Sequence, residues 1–571
     1  MATLPVRNLG EVGVVTDVNP YDLPGNAFNR ADNVIFDDGR VQRCPVFKSI
    51  FQPFLSTQDY ALAGSYNENL NTFNTAGGLN YYDMRFIGSY ASTSTGDVII
   101  TCDKLGNVRA YPNGDLDDVT PSGTLVNNEE PFTHTQLAGL SFIARKGMVP
   151  YARRITSDIT YSLMSSGAGS DWPSTDTCAV IRSFLDYAIA LNVTKGANEF
   201  PTMVKWSDAI QFGTSTNEVV WDATQTTNNA GENTLADIKT ELLDGLPLGN
   251  FFVIYSEDQV WLMEYTGTSL MFNFRRLFPT GGIINTNCAV EVEGKHFVFG
   301  QDDIYVHDGS TKSSIADGRV RRKIFDTLDR NSKHRFFVSH DTQNNLVYFS
   351  YVSKESNIGF PNSVFCNRAA VYNYRNNTWS FMDLPNIVGA AETSLALSDY
   401  LYRDLDISYS LYNTSYASFE QSSPRFMAAL GVLDPANGLT ESRVYALDLS
   451  YQGVVSRPAS PETYRKAYLE RSYIDLAEPE GGIKDYKTIR EIVPQLKFFN
   501  SGGVMTFRLG AADFHTKPVV WYTSYDFDPE IDYKITSKAA GRYLAYSAEL
   551  DSIEGFEFSG FDADVMPISR R

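Results

Sequence analysis

The feature that most constrains this chain is the run of hairpins that residues 249–329 imply. Residues 251–255 and 259–265 are rich in aromatic and β-branched side chains, and Ser256, Glu257 and Asp258 between them match a hairpin loop in length and polarity. Residues 296–299 and 304–307 repeat the device around Gly300, Gln301, Asp302 and Asp303. A lone hairpin is marginal in water, so a succession of them has to stack into a sandwich or a propeller.

The same rhythm extends in both directions. Residues 97–102 and 108–111 flank a polar turn at 103–107, residues 336–340 and 346–351 bracket 341–345, and residues 369–374 and 378–381 bracket Arg375, Asn376 and Asn377. Asp37, Asp38 and Gly39 between two short apolar runs are a further hairpin signal near the start of the chain. Many antiparallel units ending in Asp, Asn and Gly turns read as propeller blades, without a strict sequence period. The expected fold class is all-β: a multi-bladed β-propeller with additional β-rich domain structure and a few short helices. Two short helices are expected. One covers residues 235–243, with Leu235, Ile238, Leu242 and Leu243 on one face, and the other follows Asp317, Gly318 and Arg319, with Val320, Ile324, Phe325 and Leu328 inward.

At 571 residues the chain exceeds the usual size of a single core. Three regions are expected: an N-terminal arm and hairpin over 1–55 that packs on the body or a neighbour, a propeller body with long loop insertions over 56–455, and a C-terminal β-rich domain over 456–571. The last boundary rests on a proline-containing linker at 455–461, and residues 568–571 read as a polar, mobile end.

Composition narrows the function classes. There are 48 Lys and Arg against 68 Asp and Glu, a net charge of −20, so the molecule as a whole is not a surface for gripping duplex DNA. The five cysteines are widely spaced, odd in number and without a C-x-x-C pair, which predicts free buried thiols in a reducing compartment. No apolar run is long enough for a membrane span, and the start of the sequence has no secretory h-region. The six histidines show no metal-ligand spacing, and no nucleophile elbow or phosphate-cradling loop is present. Catalytic, cofactor and metal residues are therefore all expected to be absent. The one basic cluster is Arg319, Arg321, Arg322 and Lys323 on the second helix, best read as a contact to an acidic neighbouring subunit.

Several stretches together resemble one family. They are DNVIFDDGRVQR at 32–43, ALNVT and FPTMVKWSD within 190–208, the hairpin at 253–265, NNTWS within 371–385, LERSYIDL at 469–476 and AAGRY at 539–543. In these the chain is similar to the tail nozzle proteins of short-tailed bacteriophages, also called tail tubular protein B-like. The resemblance implies a structural virion protein, assembled in the host cytoplasm into a homo-oligomeric ring of six copies. That ring would sit below a tail adaptor protein, carry tail fibre or spike proteins, and let double-stranded DNA pass without specific binding. The competing expectation is a receptor-binding or glycan-degrading tail protein.

Overall fold

A computed structural model describes residues 2–49, 66–67, 72–73, 84–355, 365–393, 426–433, 441–448, 466–475 and 486–569, with short breaks at 93–95, 112–116, 124–125, 166–170, 269 and 553. Both expected region boundaries, at 55/56 and 455/456, and the linker at 455–461 fall outside the described residues.

The body is a β-propeller of five consecutive four-stranded antiparallel blades. The first strands of the blades are Met84–Ser92, Phe132–Leu137, Thr177–Phe184, Leu242–Leu248 and Ala289–Val292. Each neighbours the next around the ring. A further meander, Phe337–Asp341, Leu346–Tyr351, Cys366–Asn373 and Thr378–Thr393, follows the fifth blade and touches the first strand of blade one, closing the circle. The expected hairpins form: Phe251–Ser256 pairs with Val260–Tyr265, Lys295–Phe299 with Ile304–His307, and Phe337–Asp341 with Leu346–Tyr351.

Blades bury both faces, so their middle strands are apolar throughout rather than alternating. In Tyr187–Lys195, Ala188 and Ala190 pack toward blade two while Ile189 and Leu191 pack toward blade four. A bulge at Asn192, whose φ is 54°, then shifts the register and turns Val193 to the blade-two side. All five cysteines are free and buried in these layers, and burial pushes the Cys44 thiol up to about 12.

The N-terminal segment is woven into the rest of the chain. Ala2–Arg7 pairs with Phe556–Ser569, and the Asp38-Gly39 turn, with both φ angles positive, joins Val34–Asp37 to Arg40–Arg43 as expected. Arg30–Asp32 lies between Thr378–Thr393 and Ala467–Ile474, so one twelve-stranded sheet runs from the last meander into the C-terminal strands. A seven-stranded sheet built on Tyr486–Phe498 and Phe556–Ser569 packs against it, with Phe507 on Phe558 at 5.8 Å and Tyr546 on Phe561 at 4.8 Å between ring centroids. These two sheets form a sandwich beside the propeller.

Two expectations are corrected. Residues 235–243 are not helical: Leu235 and Ile238 close a turn buried between blades three and four, and Leu242 already opens a strand paired to Ser256. The i, i+3 spacing of apolar residues was satisfied by a turn and a strand. The chain end up to Ser569 is not a loose tail, because Phe556–Ser569 is a long strand between Ala2–Arg7 and Tyr486–Phe498. The second helix is present as Arg321–Thr327, with Ile324 buried.

Candidate functional site

The first strands of the blades surround a cavity of about 310 Å³ on the propeller axis. Its lining takes Arg85 and Gly88 from blade one, Phe132 and His134 from blade two, Arg182 from blade three, Leu246 from blade four and Ala289 from blade five. Pro131, Glu129 and Glu130 enter on the segment joining blades one and two, and Arg335 and Phe336 on the segment ahead of the closing meander.

One wall is a four-way tie between blades. The Arg182 guanidinium donates two parallel bonds to Asp244, both 2.9 Å, a third of 2.7 Å to Asn287 Oδ1 and a fourth of 3.1 Å to the His134 carbonyl. Asp244 also accepts from the backbone N–H groups of Gly245 and Asn287, at 2.8 Å each, and the Asn287 amide donates to the Phe132 carbonyl at 2.9 Å. Asp244 is fully buried, and Arg182 and two amides satisfy its oxygens there.

Elsewhere in the lining, cations gather around one carboxylate. Glu129 pairs with Arg335 at 2.5 Å, with Arg85 at 3.5 Å and with Lys104. The Phe365 ring contacts both guanidiniums, 4.9 Å from that of Arg85 and 4.8 Å from that of Arg335. The Cys366 thiol donates to the Arg335 carbonyl at 3.2 Å and anchors that backbone. Partial burial would raise the Glu129 pKa, but the Lys104 hydrogen bond and the three cations bring it down to about 2. A carboxyl held ionised in this way is not a general acid at neutral pH.

A second polar group sits between blades four and five. Gly309 N–H donates to His307 Nδ1 at 3.3 Å, and His296 Nε2 meets the Pro247 carbonyl at 2.9 Å, which makes Nε2 the protonated nitrogen there. Tyr255 OH bridges the remaining nitrogens, accepting from His307 Nε2 at 2.6 Å and donating to His296 Nδ1 at 2.7 Å. Desolvation holds His296 down to about 4 and His307 to about 3, so both are neutral near pH 7. With every ring nitrogen engaged, neither has a lone pair for a metal. The sequence spacing of the histidines does not reveal this pair. What brings it together is hairpin register, since His296 and His307 face each other across the strands.

The expected site residues lie elsewhere, and none of them lines the cavity. Arg319 donates to the Asn377 carbonyl at 2.7 Å, while its own carbonyl accepts from Thr16 and Asp17 of the N-terminal arm. Arg321 donates to the Asp302 carbonyl at 2.7 Å and pairs with Asp317 at 3.4 Å, and Lys323 pairs with Glu355. Arg322 gives its backbone N–H to Asp17, and its side chain points outward with no ion pair among the described residues. The cluster is thus mostly spent within its own chain.

Among the described residues no group of three His, Cys, Asp or Glu is placed to hold a metal ion, and no helix is long and apolar enough to cross a membrane. No protein-family model matches the chain, and no curated protein matches its sequence.

Proposed function

We propose that this protein is a structural component of a larger assembly, a ring-forming tail nozzle protein of a short-tailed bacteriophage, and not an enzyme. The observation that carries the assembly reading is where the molecule leaves large apolar side chains in water. Of 16 such residues among those described, nine lie beyond residue 498, in the C-terminal sandwich. Ile531 is 82% exposed and Tyr533 77%. Tyr533 lines a recess of about 430 Å³ together with Val493, Leu496, Phe527 and Pro529 and the charged Arg40, Lys497, Asp532 and Glu557. Next to it, Val520–Phe527 is the end strand of the twelve-stranded sheet, with Val520 and Tyr522 exposed. Exposed large apolar side chains gathered on one β-sandwich with an open sheet edge are the mark of a protein interface.

The virion reading adds the family resemblance, the propeller with its accessory β-sheets, and a net charge of −20. An axial cavity of about 310 Å³ holds a small molecule and not a duplex, so a DNA conduit would have to be formed between copies. Acidic walls on such a conduit would deny DNA the counterion release that makes it stick. Arg322 is the member of the basic helix left to reach an acidic neighbour.

Light scattering and electron microscopy of the purified chain test this reading. Rings of about six copies, dispersed by Ile531→Ser with Tyr533→Ser, are expected. A monomer at all concentrations, a ring lumen lined by Lys and Arg, or release of reducing sugar from host surface polysaccharide would overturn it.

A further inference from the structure

We propose that the axial cavity is a binding site for a small oxyanion, a phosphate or carboxylate group, and that Glu129 is its built-in occupant. In a chain with 20 more acidic than basic residues, this wall concentrates Arg85, Lys104 and Arg335 on a single carboxylate. Glu130 is the other acid of the lining, and Arg182 is already matched by Asp244. The Arg335 side chain is 11% exposed and Glu129 meets only its Nη2, so the guanidinium fork has donor capacity that Glu129 does not use. Guanidiniums present planar forks suited to carboxylate and phosphate oxygens, and Phe365, packed on both, backs them.

Glu129 is a replaceable occupant. It sits on a connecting segment rather than in a strand, and its side chain is 41% exposed, so it can turn out into water while the arginines stay fixed. Arg85 is held in a blade strand, and Arg335 by the Cys366 bond to its carbonyl. A volume of about 310 Å³ suits a phosphate ion or a single acidic sugar. An external anion then competes with an internal carboxylate, and its apparent affinity is reduced by the fraction of time the cavity is vacant. The inference needs no assembly and stands apart from the structural role proposed above.

Calorimetric titration of the full-length chain with inorganic phosphate and, separately, with glucuronate tests it, with sodium chloride holding ionic strength constant. Saturable binding is expected, about tenfold tighter in Glu129→Gln than in wild type, because the internal competitor loses its charge. It should be lost in Arg335→Met, with far-ultraviolet circular dichroism confirming the fold. Lys104→Met, at a more exposed position, reads the same weakening should the arginine variant fail to fold. The tighter of the two anions identifies the class the cavity prefers. No saturable binding of either anion to wild type or Glu129→Gln overturns the site, and equal affinities in the two overturn the occupant.

Discussion

Strands Tyr187–Lys195 of blade three and Val520–Phe527 of the sandwich are both rich in aromatic and β-branched residues, yet they end up differently. The first is flanked by strands on both edges and by blades on both faces, and its first seven residues are buried. Among the described residues the second pairs on one edge only, and most of its residues are exposed. The ring satisfies its strands by closing on itself and pins its seams with internal polar ties. The sandwich stops at an open edge. A chain that combines the two has one part specified from within and another whose edge is left unpaired among the described residues.

The sharpest way to break that contrast is to cut a tie inside the ring. Asp244→Ala strands the buried Arg182 charge and should cost about 4 kcal/mol in denaturant unfolding; a loss below about 1 kcal/mol would show that the blades hold without it. At the seam between ring and sandwich, Arg368 donates to Asp32 at 2.7 Å and to Asp383 at 3.0 Å, and Arg30 to Asp32 at 2.6 Å. Asp32→Asn removes one of three acids around Arg368 and should cost about 3 kcal/mol by the same assay, less than Asp244→Ala because Asp383 and Glu355 remain.

Within the ring, Tyr255→Phe leaves two imidazole nitrogens unpaired and should cost about 2 kcal/mol. The wild type has a pH signature from that pair and from His134 of the cavity lining. His134, His296 and His307 have folded pKa values lowered to about 3, 4 and 3 by burial, against about 6.5 unfolded. The unfolded chain therefore binds more protons below pH 6.5. Their contribution is complete above that pH and falls by about 1.4 kcal/mol per histidine per pH unit down toward the folded values. A stability profile flat between pH 7 and 5 would contradict neutral buried imidazoles. The smallest effect is expected in the sandwich: Ile531→Ser with Tyr533→Ser should shift monomer stability by no more than about 0.5 kcal/mol while abolishing self-association. A large stability loss would make those side chains part of the fold.

Much of the architecture was legible because hairpins are local. Asp38-Gly39 and the paired runs around residues 258, 302 and 376 place turns by backbone chemistry that a few residues determine. What joins those hairpins was not legible. Glu129 meets Arg335 across 206 positions, and Arg182 meets Asn287 across 105, pairings that only the closed ring creates. Residues 235–243 misled because a turn followed by a strand can bury the same spacing as one helical face. The basic helix was visible as a cluster, but sequence could not show that Asp17, Asp302, Asp317 and Glu355 of the same chain would meet most of it.

The pairing of Ala2–Arg7 with Phe556–Ser569 bears on how the protein is made. Arg7 bonds to Asp562, 555 positions later. During synthesis the blades can form one after another as they leave the ribosome, since their contacts are nearly all between neighbours in sequence. The first strand must wait without a partner until residues 556–569 have emerged. Closing the sandwich then follows the blades, and the open edge at Val520–Phe527 comes to completion with it. Ring blades fold early, and the surface that would meet other copies matures only after residues 556–569 have emerged.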